Sequence, residues 1–245
     1  MRNIKLVIEY DGKDFNGWQK QPNKLNIQGE IERAIQEITK EEKIELNASG
    51  RTDAGVHALG QVANFKTNSN IPVDKFPIAI NCKVKKSIVI KSAEEVEERF
   101  HSRYNCKQKT YRYIINNGEQ SSAIYRNLEY FVPTKLNIEE MKKAIKFFEG
   151  EHDFKGFKAS GTSSKSSIRI IYKACIKEER DRIIIELTGN GFLYNMVRII
   201  AGTLVDVGLG KIRSDEITSI IESKDRTKAG KTLPPYALYL VKVEY

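Results

Sequence analysis

Cysteine is scarce in this chain: Cys82, Cys106 and Cys175 are the only three in 245 residues, and they lie far apart. An odd, dispersed set without a C-x-x-C pair suggests neither a disulfide framework nor a structural zinc site. Histidine is equally sparse, and His57, His101 and His152 are too scattered to suggest a metal centre. Reduced thiols are expected, and with them a cytoplasmic location. No apolar run approaches the ~18 residues of a membrane helix, so no membrane association is expected. The first residues enter an alternating strand pattern almost at once, which leaves no room for a signal-peptide core. Neither a G-x-x-x-x-G-K loop nor a Rossmann glycine pattern occurs, so nothing points to nucleotide or nicotinamide chemistry.

What is abundant is positive charge. Lysine and arginine number 41 against 32 acidic residues, a formal net charge of +9. Such an excess is the electrostatic footprint of a nucleic-acid binder, although charge alone also fits a basic protein with no polyanion partner. A chain of this length can bury a sizeable core in one large domain or two small ones.

The densest chemistry lies in ASGRTDAGVHALGQVANF, residues 48–65. Gly50, Gly55 and Gly60 permit backbone angles that other residues resist, and the segment reads as a tight loop presenting Asp53 beside Arg51. A neighbouring cation keeps a carboxylate ionised, and an ionised carboxylate in a protected cleft can act as a nucleophile. The same aspartate could instead cap its own turn. His57 has no third ligand spaced nearby and reads as a structural histidine.

A second segment, RFHSRYNCKQKTYRYII (99–115), interleaves arginines and lysines with Tyr104, Tyr111 and Tyr113. Cations neutralise phosphates and aromatic faces stack on unpaired bases. In the strand 109–117, Tyr111 and Tyr113 share a face, either over a base or in the core. A third, GNGFLYNMVRII (189–200), places Arg198 in an apolar helical run. Burial of that charge requires a carboxylate or phosphate partner, whereas a position at the helix edge beside Tyr194 and Asn195 would let it reach water. The Gly-, Ser- and Lys-rich stretch 155–167 reads either as a mobile basic loop or as a plain connector.

Periodicity predicts strands at 4–10, 43–49, 61–67, 87–93, 109–117 and 238–245 and a hairpin over 168–189. It predicts helices at 27–40 with Asn26 as N-cap, at 136–150 with Asn137 as N-cap, over 190–208 and from Ser214. Strands in both halves, with few helices, argue for an α+β class. The boundaries expected are a 1–104 domain carrying the Asp53 loop and a 105–245 domain carrying the Tyr111 strand and the Arg198 helix.

Together these three segments resemble the tRNA pseudouridine synthase A family, and IEYDGKDFNGWQKQP, FFEGEHDF and LPPYALYLV also fit it. The resemblance covers nearly the whole chain. It implies two similar RRM-like α/β-sandwich halves forming a continuous antiparallel sheet, with helices mainly on one side and the active-site cleft between the halves. It also implies an isomerase that converts uridine to pseudouridine at positions 38–40 of the tRNA anticodon stem–loop, on a base flipped from its stack. By this likeness Asp53 is the nucleophile, Tyr111 contacts the target base, Arg198 pairs with the catalytic carboxylate, and Arg51 touches RNA or helps extrude the base. No cofactor or metal is implied, and the partners are tRNA and a second copy of the chain in a homodimer. A non-catalytic RNA-binding module and a glycosidase-like hydrolase are the alternatives from other classes.

Overall fold

A computed structural model describes residues 1–161 and 166–245. Thr162–Lys165, within the stretch read as a mobile loop or connector, lie outside the described residues. In chain order the first elements are β1 (Arg2–Tyr10), α1 (Ile27–Thr39), β2 (Asn47–Ala48), β3 (His57–Thr67), α2 (Phe76–Asn81) and β4 (Ile88–Val96). There follow β5 (Gln108–Asn116), β6 (Tyr130–Phe131), α3 (Ile138–Lys146), β7 (Gly150–Asp153), β8 (Ile168–Glu179) and β9 (Arg182–Gly189). The last are α4 (Met196–Gly208), α5 (Ile217–Ser223) and β10 (Leu238–Glu244). The fold is mixed α+β and mostly antiparallel, as the sequence pattern requires.

Two compact units are present: residues 1–107 with 239–245, and residues 108–238. The closing strand therefore lies in the first unit, where a division into 1–104 and 105–245 had put it in the second. The reason is backbone pairing: Tyr239 and Leu240 pair in parallel with His57 and Ala58. Their partner strand is separated from them by most of the chain, which no local periodicity can register.

In the first unit the strands run in the order β4, β1, β3, β10, with β2 beside β3. Ile4, Leu6 and Ile8 alternate onto the buried face of β1. They are in register with Phe65, Ala63 and Gln61 of β3, and Phe65 meets Phe76 of α2 edge-on at 5.6 Å. Asn26 caps α1 as its sequence suggests, its side chain accepting from Gly29 N–H at 2.8 Å. The strand expected over 43–49 shrinks to Asn47–Ala48, and the one expected at 61 begins at His57. The second half of the glycine-punctuated motif is thus strand, not loop. Gly60 fits there because an added Cβ would sit 2.6 Å from the Val241 carbonyl oxygen of the neighbouring strand.

In the second unit the order is β5, β9, β8, β7, with β6 beside β5. The helix expected over 136–150 ends at Lys146, and Gly150 (φ +102°) opens β7 instead. Asn137 caps it, accepting from Glu140 N–H at 3.2 Å. The helix expected over 190–208 begins only at Met196. Part of the Gly/Ser/Lys stretch is also ordered: residues 154–157 form a short 3-10 helix that buries Phe154 and Phe157. No helix among the described residues is long and apolar enough to cross a membrane.

Candidate active site

In the first unit the turn carrying Asp53 is braced from below. Trp18 N–H donates to the Thr52 carbonyl at 3.0 Å, and the Thr52 hydroxyl pairs with the Tyr10 hydroxyl at 2.7 Å. Val56 N–H closes the turn onto the Asp53 carbonyl at 3.1 Å. The segment beneath it must be glycine at two positions. A Cβ on Gly12 would lie 2.0 Å from the Val56 carbonyl oxygen, and one on Gly17 (φ +86°) 2.7 Å from the Thr52 carbonyl oxygen. Residues 17 and 18 are themselves tied to the start of α1, where Ile27 N–H and Gln28 N–H donate to their carbonyls. The turn therefore inherits its position from a helix end and a strand end, both rigid.

Buried polar groups complete the brace. Gln61 is fully buried; its Nε2 donates to the Gly50 carbonyl at 2.9 Å, and its Oε1 accepts from the Ser49 hydroxyl at 2.7 Å. Burial pushes the Tyr10 hydroxyl well above the ordinary tyrosine range, so it stays protonated. Above this base, Asp53 is half-buried and Arg51 is exposed. His57 is held structurally, as its spacing suggests: its Nδ1 accepts from Gly12 N–H at 3.1 Å, and its ring stacks on Tyr239 at 4.9 Å. The same Nδ1 also lies 3.1 Å from Asp11 Oδ1.

In the second unit Tyr111 is 9% exposed and meets Phe192 edge-on at 5.1 Å. Arg112, on the opposite face of β5, is engaged by Glu186 at 2.8 Å across the strand pair. Arg198 lies in the first turn of α4 and is half-buried. Its Nε donates to the Leu233 carbonyl and its Nη1 to Asn195 Oδ1, both at 2.6 Å. Asn195 sits in the left-handed region (φ +61°) and spends its side chain on Arg198 rather than on capping the helix. This is a local conformational cost of the kind that collects at functional sites. The edge position beside Asn195 that the helical wheel allowed is thus realised, but the guanidinium is clamped there rather than trailing into water.

A strap over α4 sets the other half of the clamp. A Cβ on Gly202 would lie 1.9 Å from the Lys231 carbonyl oxygen, and Gly230 N–H donates to the Thr203 hydroxyl at 2.9 Å. The strap then offers the Leu233 carbonyl to Arg198 and the Pro234 carbonyl to the Tyr113 hydroxyl, 2.9 Å away. Burial first, then the neighbouring Tyr236 and Tyr130 hydroxyls, push the Tyr113 hydroxyl far above the usual range, against the pull of Arg198.

Arg51 and Asp53 thus share one unit, and Tyr111 and Arg198 the other. The bracing roles of Gly12, Gly17, Thr52 and Gln61 and the clamping roles of Asn195 and Leu233 escape a reading of the sequence. Only the paired D-G and N-G steps of the opening segment signal that a backbone must pass close by.

Similarity to known proteins places the chain in a class of RNA-modifying isomerases. Residues 6–105 and 144–245 match the family described as tRNA pseudouridine synthase. Relatives named tRNA pseudouridine synthase A include those of Caldicellulosiruptor bescii, 55% identical, and Acetivibrio thermocellus, 53% identical. Both alignments run over 245 residues and cover all of either chain. The chain belongs to the tRNA pseudouridine synthase family and is an isomerase.

Proposed function

We propose that this enzyme isomerises uridine at positions 38–40 of the tRNA anticodon stem–loop, with Asp53 as the nucleophile acting on a flipped-out base. Tyr111 contacts that base, Arg198 pairs with the catalytic carboxylate, and Arg51 fills or props the gap the base leaves. The enzyme works without a cofactor, as a homodimer in the cytoplasm.

The observation that carries this reading is the brace under Asp53. A turn that only capped itself would not need two glycines, a buried Tyr–Thr hydroxyl pair and a helix end to fix its backbone. Preorganised placement of a reacting group is what such a brace supplies. Arg198 lends support from the other unit. A cation in the first turn of a helix sits at the positive end of its dipole, and this one is held there by two acceptors. The dipole favours an anion as its partner, and the two acceptors fix the direction in which the guanidinium is offered.

The chemistry is an isomerisation, so no atom is added or lost. The C1′–N1 glycosidic bond breaks, the uracil turns, and a C1′–C5 bond forms as the C5 proton leaves and N1 is protonated. Asp53 can enter by attack at C1′, by attack at C6, or by removing a sugar proton.

The test is Asp53→Asn with unmodified tRNA and mapping of pseudouridine. The variant is expected to bind tRNA and form no pseudouridine. Turnover by that variant would remove Asp53 from the role, and release of free uracil by the parent enzyme would point to hydrolysis.

A further inference from the structure

We propose that the turn Phe100–Asn105 in the first unit is a second RNA-contact platform, one that stacks an unpaired nucleotide and grips its phosphates. This rests on the reading of tRNA as substrate. The turn lies on the open face of the sheet. Asn3 and Lys5 of β1 point away from the Ile4, Leu6 and Ile8 face and are in register with Lys66 and Asn64 of β3. Asn64 lies seven residues along β3 from His57, about 23 Å at roughly 3.3 Å per residue. The platform is therefore at the far end of that strand from the Asp53 turn.

Buried amides lock the turn in place. Asn64 Oδ1 accepts from Ser102 N–H at 2.9 Å and from the Ser102 hydroxyl at 2.8 Å, while its Nδ2 donates to Asn3 Oδ1 at 2.9 Å. Asn3 Nδ2 donates to the carbonyls of Glu97 and Phe100, at 3.0 and 2.9 Å. The Tyr245 hydroxyl donates to the Ser102 carbonyl at 2.9 Å. Asn3, Asn64 and Ser102 are each at most 3% exposed. Burying so many polar groups is tolerable only because they satisfy one another, and the product is a rigid loop.

What this rigid loop presents is unlike its surroundings. Tyr104 is 76% exposed, and its ring lies 4.3 Å from that of His101 and 6.0 Å from the Arg103 guanidinium. Nearby, Arg2, Lys5, Lys66 and Arg99 are all paired with glutamates. Arg103 and Lys107 have no ion-pair partner among the described residues. The Arg103 cation beside an exposed aromatic ring, with Lys107 exposed two residues beyond the turn, supplies the elements of single-strand recognition: phosphates to the cations, a base to the ring.

The test measures binding of unmodified tRNA by fluorescence anisotropy over a range of salt, alongside pseudouridine formation by the parent enzyme. Tyr104→Ala is expected to raise Kd about tenfold with an unchanged salt slope, and Tyr104→Phe to restore the affinity. Arg103→Gln is expected to reduce the slope of log K against log salt by about 1. Parent-like Kd values for Tyr104→Ala and Arg103→Gln, with an active parent enzyme, would overturn this proposal alone. So would affinity lost only because sedimentation shows a dimer falling apart, since the turn would then be a protein interface. A parent enzyme that neither binds tRNA nor modifies it would instead bring down the functional reading and this one with it.

Discussion

Arg198 illustrates how a single side chain acquires a job from its acceptors. Its two described hydrogen bonds, to the Leu233 carbonyl and to Asn195, use different nitrogens of one planar group. A lysine carries its charge at a point and cannot reproduce that fork. Arg198→Lys should therefore fold normally yet lose on the order of 10²-fold in the rate of pseudouridine formation, the size expected for loss of a preorganised electrostatic contact. Single-turnover assays with thermal melting as the folding control would check this. A variant as fast as the parent would show that charge alone suffices. The sequence singled out Arg198, Asp53 and Tyr111 because their residue types are unusual for their surroundings. It placed Asn195 beside Arg198 on the helix edge but not the left-handed backbone that aims its Oδ1 at the guanidinium, and it did not reach the Leu233 carbonyl, because neither a backbone angle nor a carbonyl is a property of the side-chain alphabet.

At the scale of elements, the turn bearing Asp53 and the helix bearing Arg198 are fixed by the same device: a glycine that lets two backbones touch. Gly12 meets the Val56 carbonyl, and Gly202 meets that of Lys231. Because the obstacle in each case is backbone, no rotamer change relieves an added methyl. Gly12→Ala should cost about 1–3 kcal/mol of stability in urea unfolding and depress activity through the displaced turn. An unfolding midpoint equal to the parent's would refute the close packing. Element identities were legible where one face is buried, as in β1, with its alternating Ile4, Leu6 and Ile8, or in α1, with its Asn26 cap. Boundaries were less so. The apolar run after Gly191 looks helical throughout, yet α4 waits until Met196 because the residues before it are needed as a loop to carry Phe192 and Asn195. The strand at 43–49 has the right composition, but only Asn47 and Ala48 enter strand register with β3, with Ser49 N–H still donating to the Val62 carbonyl at 2.8 Å.

For the whole molecule, charge sets the response to solution conditions. In the second unit, Glu149 is held below the usual carboxylate range by Lys146, and Asp153 by the Ser167 hydroxyl and then Lys224. Carboxyls depressed on folding contribute stability that is present above their unfolded range and lost as pH falls through the folded values. The melting temperature should thus be flat from pH 7 to 5 and fall below about pH 4, where unfolded carboxylates begin to bind protons. A decline already between pH 7 and 6 in thermal scans would point to histidine instead. The closing strand has a different consequence, in time rather than energy. On the ribosome, residues 108–238 are complete while the first unit still lacks the strand that flanks β3. The half that emerges first is the half that must wait, the edge of its sheet beside His57 and Ala58 open until Tyr239 and Leu240 arrive.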